Sequence, residues 1–374
     1  MNSKNTPPRH SQRICEENIE KVDWQTIESS KDCTISQTEK WCRYQDRIGR
    51  KSVILRVDVD EQTLAYFIGA KFGIGGLSIL GAPIDGINTT TQGLVYVDGL
   101  VHTKEERVRL YKAIAEYVFE HRIALMLQVT DWQMREDLDG YPDKPYYSNL
   151  LEQMGVRYSG WPTLYVDMED KDEEDLWAGL HYKSAKYSIN KAAKCGLYCR
   201  QITDLGELDA FLDTHYDQLV EVCAKQGKKP RPAQAKSRMK AVVESLWPDR
   251  VRVHEIIGPD ENGVEHVMAT GIFCLDKGQC AYWTGASYQR YQKYCPNEPL
   301  VWEAMRQMAA MGVRTFNLCG SHPYKAKYGT KYCYVPRMVF VKYEWVLEAK
   351  NTFKKIYNGI RNKIAKIKGR KSFK

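Results

Sequence analysis

The sequence predicts an α/β protein (in the α+β sense) with two domains of related design and a basic C-terminal helical tail. Its 374 residues exceed what a single hydrophobic core usually takes. The order strand, helix, strand occurs over residues 94–129 and again over 280–318. From Lys350 onward there are ten Lys or Arg residues and no acid. We predict a polar N-terminal segment over 1–22, domains over 23–170 and 171–345, and the tail over 346–374.

The polar composition of residues 1–22 predicts a disordered or loosely attached segment. After it, alternating apolar residues predict the first strands. Strands are predicted over residues 52–58, 64–67, 77–80, 94–97 and 123–129. The glycine cluster 73–76 predicts a hairpin turn rather than a phosphate loop, because no helix follows it. Thr103 and Glu106 form a capping box, which predicts a helix from there to about residue 121.

In the second half, the acidic residues 167–175 predict the start of one linking helix that runs from 174 to about 195. Further helices are predicted over 205–226, 233–247 and 299–311, and strands over 251–257, 265–275, 279–287, 313–318 and 335–345. Gly312 is the kind of residue that ends a helix. The residues from 350 are helix-prone, with apolar residues three or four apart between lysines.

Several classes of protein are excluded by composition and motif. No apolar run reaches the roughly 18 residues of a spanning helix, and residues 1–21 contain no secretory signal. The eleven cysteines form no CxxC pair and the eight histidines no metal-binding cluster, which favours reduced thiols in a cytoplasm and no bound metal. The common hydrolase, Walker A and kinase motifs are absent.

The first candidate site is the basic, aromatic segment 323–329, which follows the strand 313–318. Loops at strand ends are where α/β domains usually bind ligands. Lys325 and Lys327, with Tyr324 beside them, could hold an anionic substrate or a negatively charged transition state. The alternative is a solvated basic loop, since most lysines are exposed.

Two further candidates lie elsewhere in the second half. Lys186 and Tyr187 belong to the basic linking helix. The face that carries them would point toward a cleft between the domains, or else it is the solvated face of the helix. Tyr282 could line the cleft or belong to the core. Because strand neighbours alternate, one of Tyr282 and Trp283 should face inward and the other outward.

The basic tail has three interpretations. It is a solvated amphipathic helix packed on the second domain, an interfacial helix on anionic lipid, or a segment that binds a nucleic acid such as tRNA. The apolar residues between its lysines fit the first two readings equally well.

Several segments, in this order, resemble the FemABX/GNAT-like acyltransferases, which are peptidoglycan-bridge aminoacyltransferases and their relatives in cell-envelope polysaccharide clusters. They are HYKSAKYSINKAAKCG at 181–196, then 282–287, 299–312, 316–318, and YKAKYG at 324–329. The resemblance covers roughly residues 45–345 and is strongest in the second half. In the first half, Gly81-Ala82-Pro83 is similar to a Gly-Pro element of the family.

The resemblance implies two tandem GNAT-like acyl-CoA N-acyltransferase domains, with mixed sheets flanked by helices and a substrate channel between them. It implies transfer of an acyl or aminoacyl group, from acyl-CoA or aminoacyl-tRNA, to an amine of a UDP- or lipid-linked envelope precursor at the inner membrane face. No tightly bound cofactor is implied. Lys325 would stabilise the oxyanion, Lys186 and Tyr187 would hold the acceptor's phosphates, and Tyr282 would line the cleft.

Two departures from the family pattern bear on chemistry. Lys186 stands where an arginine is usual, which gives up bidentate phosphate binding. The segment 288–298 has no glycine, so it lacks the pyrophosphate loop of ordinary coenzyme-A acetyltransferases. The sequence therefore leaves two donors as alternatives, acyl-CoA and aminoacyl-tRNA. The alternative function is a non-catalytic module of the same fold that binds a charged glycolipid or RNA.

Overall fold

The computed structural model describes residues 12–74, 76–81, 93–140, 147–276 and 278–371. Within them the strands are β1 (Gln12–Glu17), β2 (Lys51–Val59), β3 (Gln62–Ile74), β4 (Leu77–Gly81), β5 (Leu94–Tyr96), β6 (Met126–Thr130), β7 (Glu136–Leu138), β8 (Arg157–Asp167), β9 (Tyr198–Gln201), β10 (Val251–Pro259), β11 (Glu265–Leu275), β12 (Gln279–Ser287), β13 (Thr315–Asn317) and β14 (Lys331–Val341).

The α-helices are α1 (Trp24–Ser29), α2 (Glu39–Arg47), α3 (Lys104–Glu120), α4 (Asn149–Gln153), α5 (Glu173–Gly179), α6 (Tyr187–Lys194), α7 (Leu208–Lys225), α8 (Lys236–Leu246), α9 (Asn297–Ala310) and α10 (Glu344–Lys371). Two short turns matter for the site: a π-helical turn, Tyr182–Lys186, and a 3-10 turn, Pro323–Tyr328. None of the helices that the structure describes is long and apolar enough to cross a membrane.

The strands form one mixed sheet in the order β1-β2-β3-β4-β6-β14-β8-β13-β12-β11-β10-β9, with β5 on β3 and β7 on β14. Most neighbours are antiparallel. The two parallel pairs are β4–β6 and β12–β13, and a helix, α3 or α9, precedes the second strand of each pair. The predicted α/β class with a repeated strand–helix–strand unit is confirmed.

The two halves of the chain interlock through β8 and β14. The last strand, β14, lies between β6 and β8, with Val339 opposite Gln128 and Cys333 opposite Thr163. At its other edge β8 pairs with β13, with Val166 opposite Phe316. The end of the chain therefore completes the sheet of the first half, and β8 connects that sheet to the second half.

Both faces of the sheet are covered in the second half. Tyr282 and Trp283 point to opposite faces, yet both are buried, in two separate apolar clusters. The prediction that one of the pair would face outward was wrong, because helices pack on both sides of β12. α9 covers one side and α7 the other.

Three local predictions also differ from the structure. Residues 12–17 are a strand paired with β2, not a loosely attached segment, and Glu17 binds Arg56 across the pair at 2.7 Å. The closing strand ends at Val341, and Trp345 already belongs to α10. The single linking helix is divided into α5, the π-helical turn and α6, because Leu180 has extended backbone geometry.

Candidate active site

The candidate site lies where β12 and β13 separate. The two strands pair in parallel from Gln279 and Thr315 to Ala281 and Asn317. Beyond that point β12 continues along β11, whereas the chain leaves β13 and enters the 3-10 turn that carries Lys325. The predicted segment therefore does follow a strand end, the position at which sheets of this kind bind ligands.

Two polar side chains fix the turn after β13. The side-chain oxygen of Asn317 accepts a hydrogen bond from the Cys319 amide at 2.9 Å, and Cys319 has a left-handed φ of 58°. The Thr163 hydroxyl, on β8, donates to the same oxygen at 3.3 Å and accepts from the Gly320 amide at 2.9 Å. Thr163 and Asn317 were not singled out from the sequence, because they meet only through the pairing of β8 with β13.

Lys325 is partly buried and turned toward this fixed backbone. Its Nζ donates to the Leu318 carbonyl at 2.5 Å and lies 3.4 Å from the Cys319 carbonyl. It is about 6 Å from the ring centres of Tyr282 and Tyr324. Burial lowers the pKa of this ammonium. An ammonium has three N–H donors, so one remains for a bound substrate.

Tyr282 forms the wall beside Lys325. Its ring stacks on Phe273, with centroids 5.0 Å apart, and burial raises the pKa of its hydroxyl well above the ordinary value. Gly285 leaves room for that hydroxyl, since a Cβ there would stand 1.9 Å from it. Tyr282 is therefore a neutral, fixed aromatic surface.

Lys327 is engaged within the protein. Its Nζ forms an ion pair with Glu298, in the first turn of α9, and both side chains are largely buried. The Lys327 ammonium is 5.8 Å from the ring centre of Tyr324, which is itself 44% exposed. Among the residues described, Lys325 has no carboxylate partner, so it is the cation of this segment whose charge is available.

Two glycines join the segment to the linking region. Gly329 has a φ of +69°, and a Cβ on it would stand 2.9 Å from the Gly179 carbonyl oxygen. Directly after the break in the linking helix, the His181 amide donates to the Lys327 carbonyl at 2.9 Å. The break at Leu180 thus places the π-helical turn against the Lys325 segment.

Lys186 and Tyr187 lie at the end of this π-helical turn. The Lys186 Nζ donates to the Ala178 carbonyl at 3.2 Å and is 5.9 Å from the Trp177 ring centre, while Tyr187 is 60% exposed. The structure brings their turn next to the Lys325 segment but shows no direct contact between Lys186 and Lys325. In the first half, Gly81 ends β4, whereas Ala82 and Pro83 lie outside the described residues.

Comparison with known proteins bears on the second half of the chain and on the overall fold. Residues 181–326 match the family described as acetyltransferase (GNAT) domain. The fold is similar to the crystal structure of FemX, with a TM-score of 0.62 and 12% sequence identity, covering 86% of this chain and 96% of that one. None of the curated protein sequences matches the chain.

Two other solved structures are similar at lower scores. One is a tandem GNAT protein from the clavulanic acid biosynthesis pathway, with TM-score 0.49, 12% identity, and coverage of 88% of this chain and 98% of that one. The other is the C-terminal domain of a putative lysylphosphatidylglycerol synthetase from Agrobacterium fabrum, with TM-score 0.44, 12% identity, and coverage of 76% and 84%. Residues 181–326 therefore match a GNAT domain, and the fold of the chain is similar to that of FemX.

Proposed function

We propose that the protein is an acyltransferase that moves an acyl or aminoacyl group to an amine of a cell-envelope precursor. The observation that carries the proposal is the Lys325 ammonium, which is partly buried, lacks a carboxylate partner among the described residues and lies where β12 and β13 separate. A positive charge held in a poorly solvated place stabilises a developing oxyanion more strongly than one in water.

The reaction forms a C–N bond and breaks the bond from the acyl carbon to its donor. The acceptor amine attacks the acyl carbon, and the carbonyl oxygen becomes an oxyanion that receives the free N–H of Lys325. The donor leaves as a thiolate or as a ribose hydroxyl, depending on whether it is acyl-CoA or aminoacyl-tRNA. The amine's proton passes to water or to the substrate, and Lys325 remains protonated throughout.

Acceptor binding is assigned to the surface next to Lys325. Tyr324 and Tyr187 are exposed aromatic rings, and Lys186 adds a cation at the end of the π-helical turn. Such groups suit an acceptor with sugar rings and phosphates, as in a UDP- or lipid-linked precursor. Lys327 contributes through its ion pair with Glu298, which holds the segment on α9.

We propose further that the tail binds the enzyme to an anionic membrane surface. The first turn of α10 packs through Val346 on β4, β6 and β14. The same apolar face then continues without a partner among the described residues: Phe353, Ile356 and Ile360 are 40–54% exposed. An apolar stripe flanked by lysines is typical of an interfacial helix and less suited to RNA.

A transfer assay tests the function. The 374-residue chain is incubated with acetyl-CoA or aminoacyl-tRNA, each with and without UDP-linked amino sugars or peptides, and products are identified by mass spectrometry. We expect a new amide only when donor and acceptor are both present, and a joint thermal shift larger than either alone. Binding of an acceptor with no product from any donor would favour the alternative, a non-catalytic module.

A further inference from the structure

The two carbonyls that accept hydrogen bonds from the Lys325 ammonium belong to a turn that needs support. They are the carbonyl of Leu318, at 2.5 Å from Nζ, and that of Cys319, at 3.4 Å. Cys319 has a φ of 58°, a left-handed conformation that non-glycine residues rarely adopt. Such a conformation costs free energy and persists only where the surrounding structure holds it. The direction of both carbonyls therefore depends on what fixes this turn.

The amides of the turn are held by two side chains that belong to neighbouring strands. The Cys319 amide donates to the side-chain oxygen of Asn317 at 2.9 Å, and the Gly320 amide donates to the Thr163 hydroxyl at 2.9 Å. The Thr163 hydroxyl donates in turn to the same Asn317 oxygen at 3.3 Å, so that it links the two amides. The Cys319 N–H requires an acceptor, which fixes the Asn317 oxygen on that side and leaves the Asn317 Nδ2 without a partner among the described residues. Thr163 and Asn317 are completely buried, so water does not compete for these bonds.

Each of these amides shares a peptide unit with one of the carbonyls that bind Lys325. The Cys319 N–H and the Leu318 C=O belong to one unit, and the Gly320 N–H and the Cys319 C=O belong to the next. In a planar trans peptide unit the N–H and the C=O point in opposite directions. An acceptor that holds the N–H on one side therefore aims the C=O toward the other side. That other side is where the Lys325 Nζ lies.

Main-chain pairing with β8 fixes the ends of the turn but not these two units. The Leu318 amide donates to the Leu164 carbonyl at 2.9 Å, and the Leu164 amide donates to the Gly320 carbonyl at 3.3 Å. These bonds use the Leu318 N–H and the Gly320 C=O, which lie outside the two peptide units. The orientation of the units themselves is left to the side chains of Thr163 and Asn317.

We propose that Thr163, acting with Asn317 through these two peptide units, is a positioning residue for the Lys325 ammonium. Thr163 lies on β8, the strand that joins the sheet of the first half to the second half, with Cys333 of β14 opposite it. The charge at the candidate site is thus oriented from the junction of the two halves. The effect of Thr163 on turnover rests on the proposed function, whereas its effect on the ammonium depends on these hydrogen bonds alone.

The ammonium can be observed without any substrate, by NMR titration of the whole chain with an NMR-active carbon at the lysine Cε positions. Lys325→Met identifies the Lys325 signal by its absence. Thr163→Val keeps the shape of threonine and removes its hydroxyl. Because carbonyl acceptors favour the charged form of a lysine, we expect this change to lower the pKa of Lys325 below its wild-type value. Thr163→Ser retains a hydroxyl and should restore that value, and Thr163→Ala is titrated instead if Thr163→Val does not fold.

Thr270→Val is the matched control. The Thr270 hydroxyl is also completely buried, and it contacts His215 at 2.7 Å and Gln218 at 2.5 Å, outside the turn. Its loss should leave the pKa of Lys325 at the wild-type value. The control therefore separates positioning of the ammonium from a general loss of stability.

Turnover with a donor and acceptor pair that the wild-type protein uses gives a second readout. Thr163→Val should lower kcat at least about threefold and move its alkaline decline to lower pH, since a displaced ammonium stabilises the oxyanion less well. In the Lys325→Met background the same change should have no further effect on kcat, because the group that Thr163 positions is absent.

The proposal is overturned if Lys325 titrates alike in the wild type and in folded Thr163→Val, or if Thr270→Val shifts its pKa as much as Thr163→Val does. It is also overturned if Thr163→Val lowers kcat by the same factor in the wild-type and Lys325→Met backgrounds. Wild-type turnover by Lys325→Met would contradict the proposed function instead, and the titration would still decide the role of Thr163.

Discussion

The Lys325 ammonium donates to the carbonyls of Leu318 and Cys319, and its environment sets the pH range over which it could fill the proposed role. Burial lowers the pKa of its ammonium, so the charge is lost at a lower pH than for an exposed lysine. Oxyanion stabilisation needs the protonated form, which exists below that pKa. We therefore expect turnover to decline on the alkaline side as pH rises through the lowered pKa.

Lys325→Arg provides the check, because a guanidinium stays protonated over the whole accessible range. The variant should lose the alkaline decline in kcat even if its turnover at neutral pH is lower. The measurement is a pH–rate profile of both proteins with the same substrates. An identical alkaline limb in the two profiles would assign the decline to another group.

At this scale the sequence singled out part of the candidate site, and it missed the residues that contact that part for a definite reason. Lys325 follows a predicted strand in a basic, aromatic segment, and that position was sufficient to single it out. The ion pair of Lys327 with Glu298 joins residues 29 positions apart, and the contact between Thr163 and Asn317 spans 154 positions. Local spacing carries no information about such partners. The first contact depends on the packing of the Lys325 turn against α9, and the second on the pairing of β8 with β13.

Among the elements, the linking helix shows how distant packing overrides local propensity. Residues 174–195 have the pattern of one helix, yet the chain is extended at Leu180. The break lets Gly179 approach Gly329 and lets His181 bond to Lys327. A side chain at Gly329 would interfere with this approach, because its Cβ would stand 2.9 Å from the Gly179 oxygen. A helix prediction from residues 174–195 alone cannot detect this contact.

Gly329→Ala tests the importance of this contact. The new Cβ would stand 2.9 Å from the Gly179 oxygen in addition to the strain of a positive φ. Gly312→Ala is the matched control, since Gly312 also has a positive φ, of +77°, but nothing within 4 Å of its Cβ position. We expect Gly329→Ala to be less stable than the control by about 1–3 kcal/mol in chemical denaturation, and less active. Equal stability of the two variants would contradict the close approach.

For the whole molecule, the sequence predicted the class and the repeat but not the strand order. Each strand–helix–strand unit is visible as local periodicity, and α3 and α9 confirm it. The position of β14 between β6 and β8 depends on strand pairing between segments that are far apart in the sequence. By its own pattern, a strand at the end of the chain could pair with strands of either half, because both positions are buried.

The tail makes a prediction about the whole molecule. Truncation after residue 349 keeps Val346 and its contacts but removes the exposed apolar stripe and the ten basic residues from Lys350 onward. We expect the full chain to sediment with vesicles containing anionic lipid, less so as salt increases, and the truncated chain to stay in the supernatant. Neutral vesicles are the control. Equal sedimentation of the two chains with anionic vesicles would show that the tail is not the membrane contact.

The most direct test of the account is the turnover of Lys325→Met, measured with a donor and acceptor pair that the wild-type protein uses. Methionine keeps much of the side-chain length and removes only the charge and its donors. Lys331→Met is the control, because Lys331 is exposed and paired with Asp167. The account predicts that kcat falls at least about tenfold in a folded Lys325→Met protein and stays near wild type in the control. Wild-type turnover by folded Lys325→Met would contradict it.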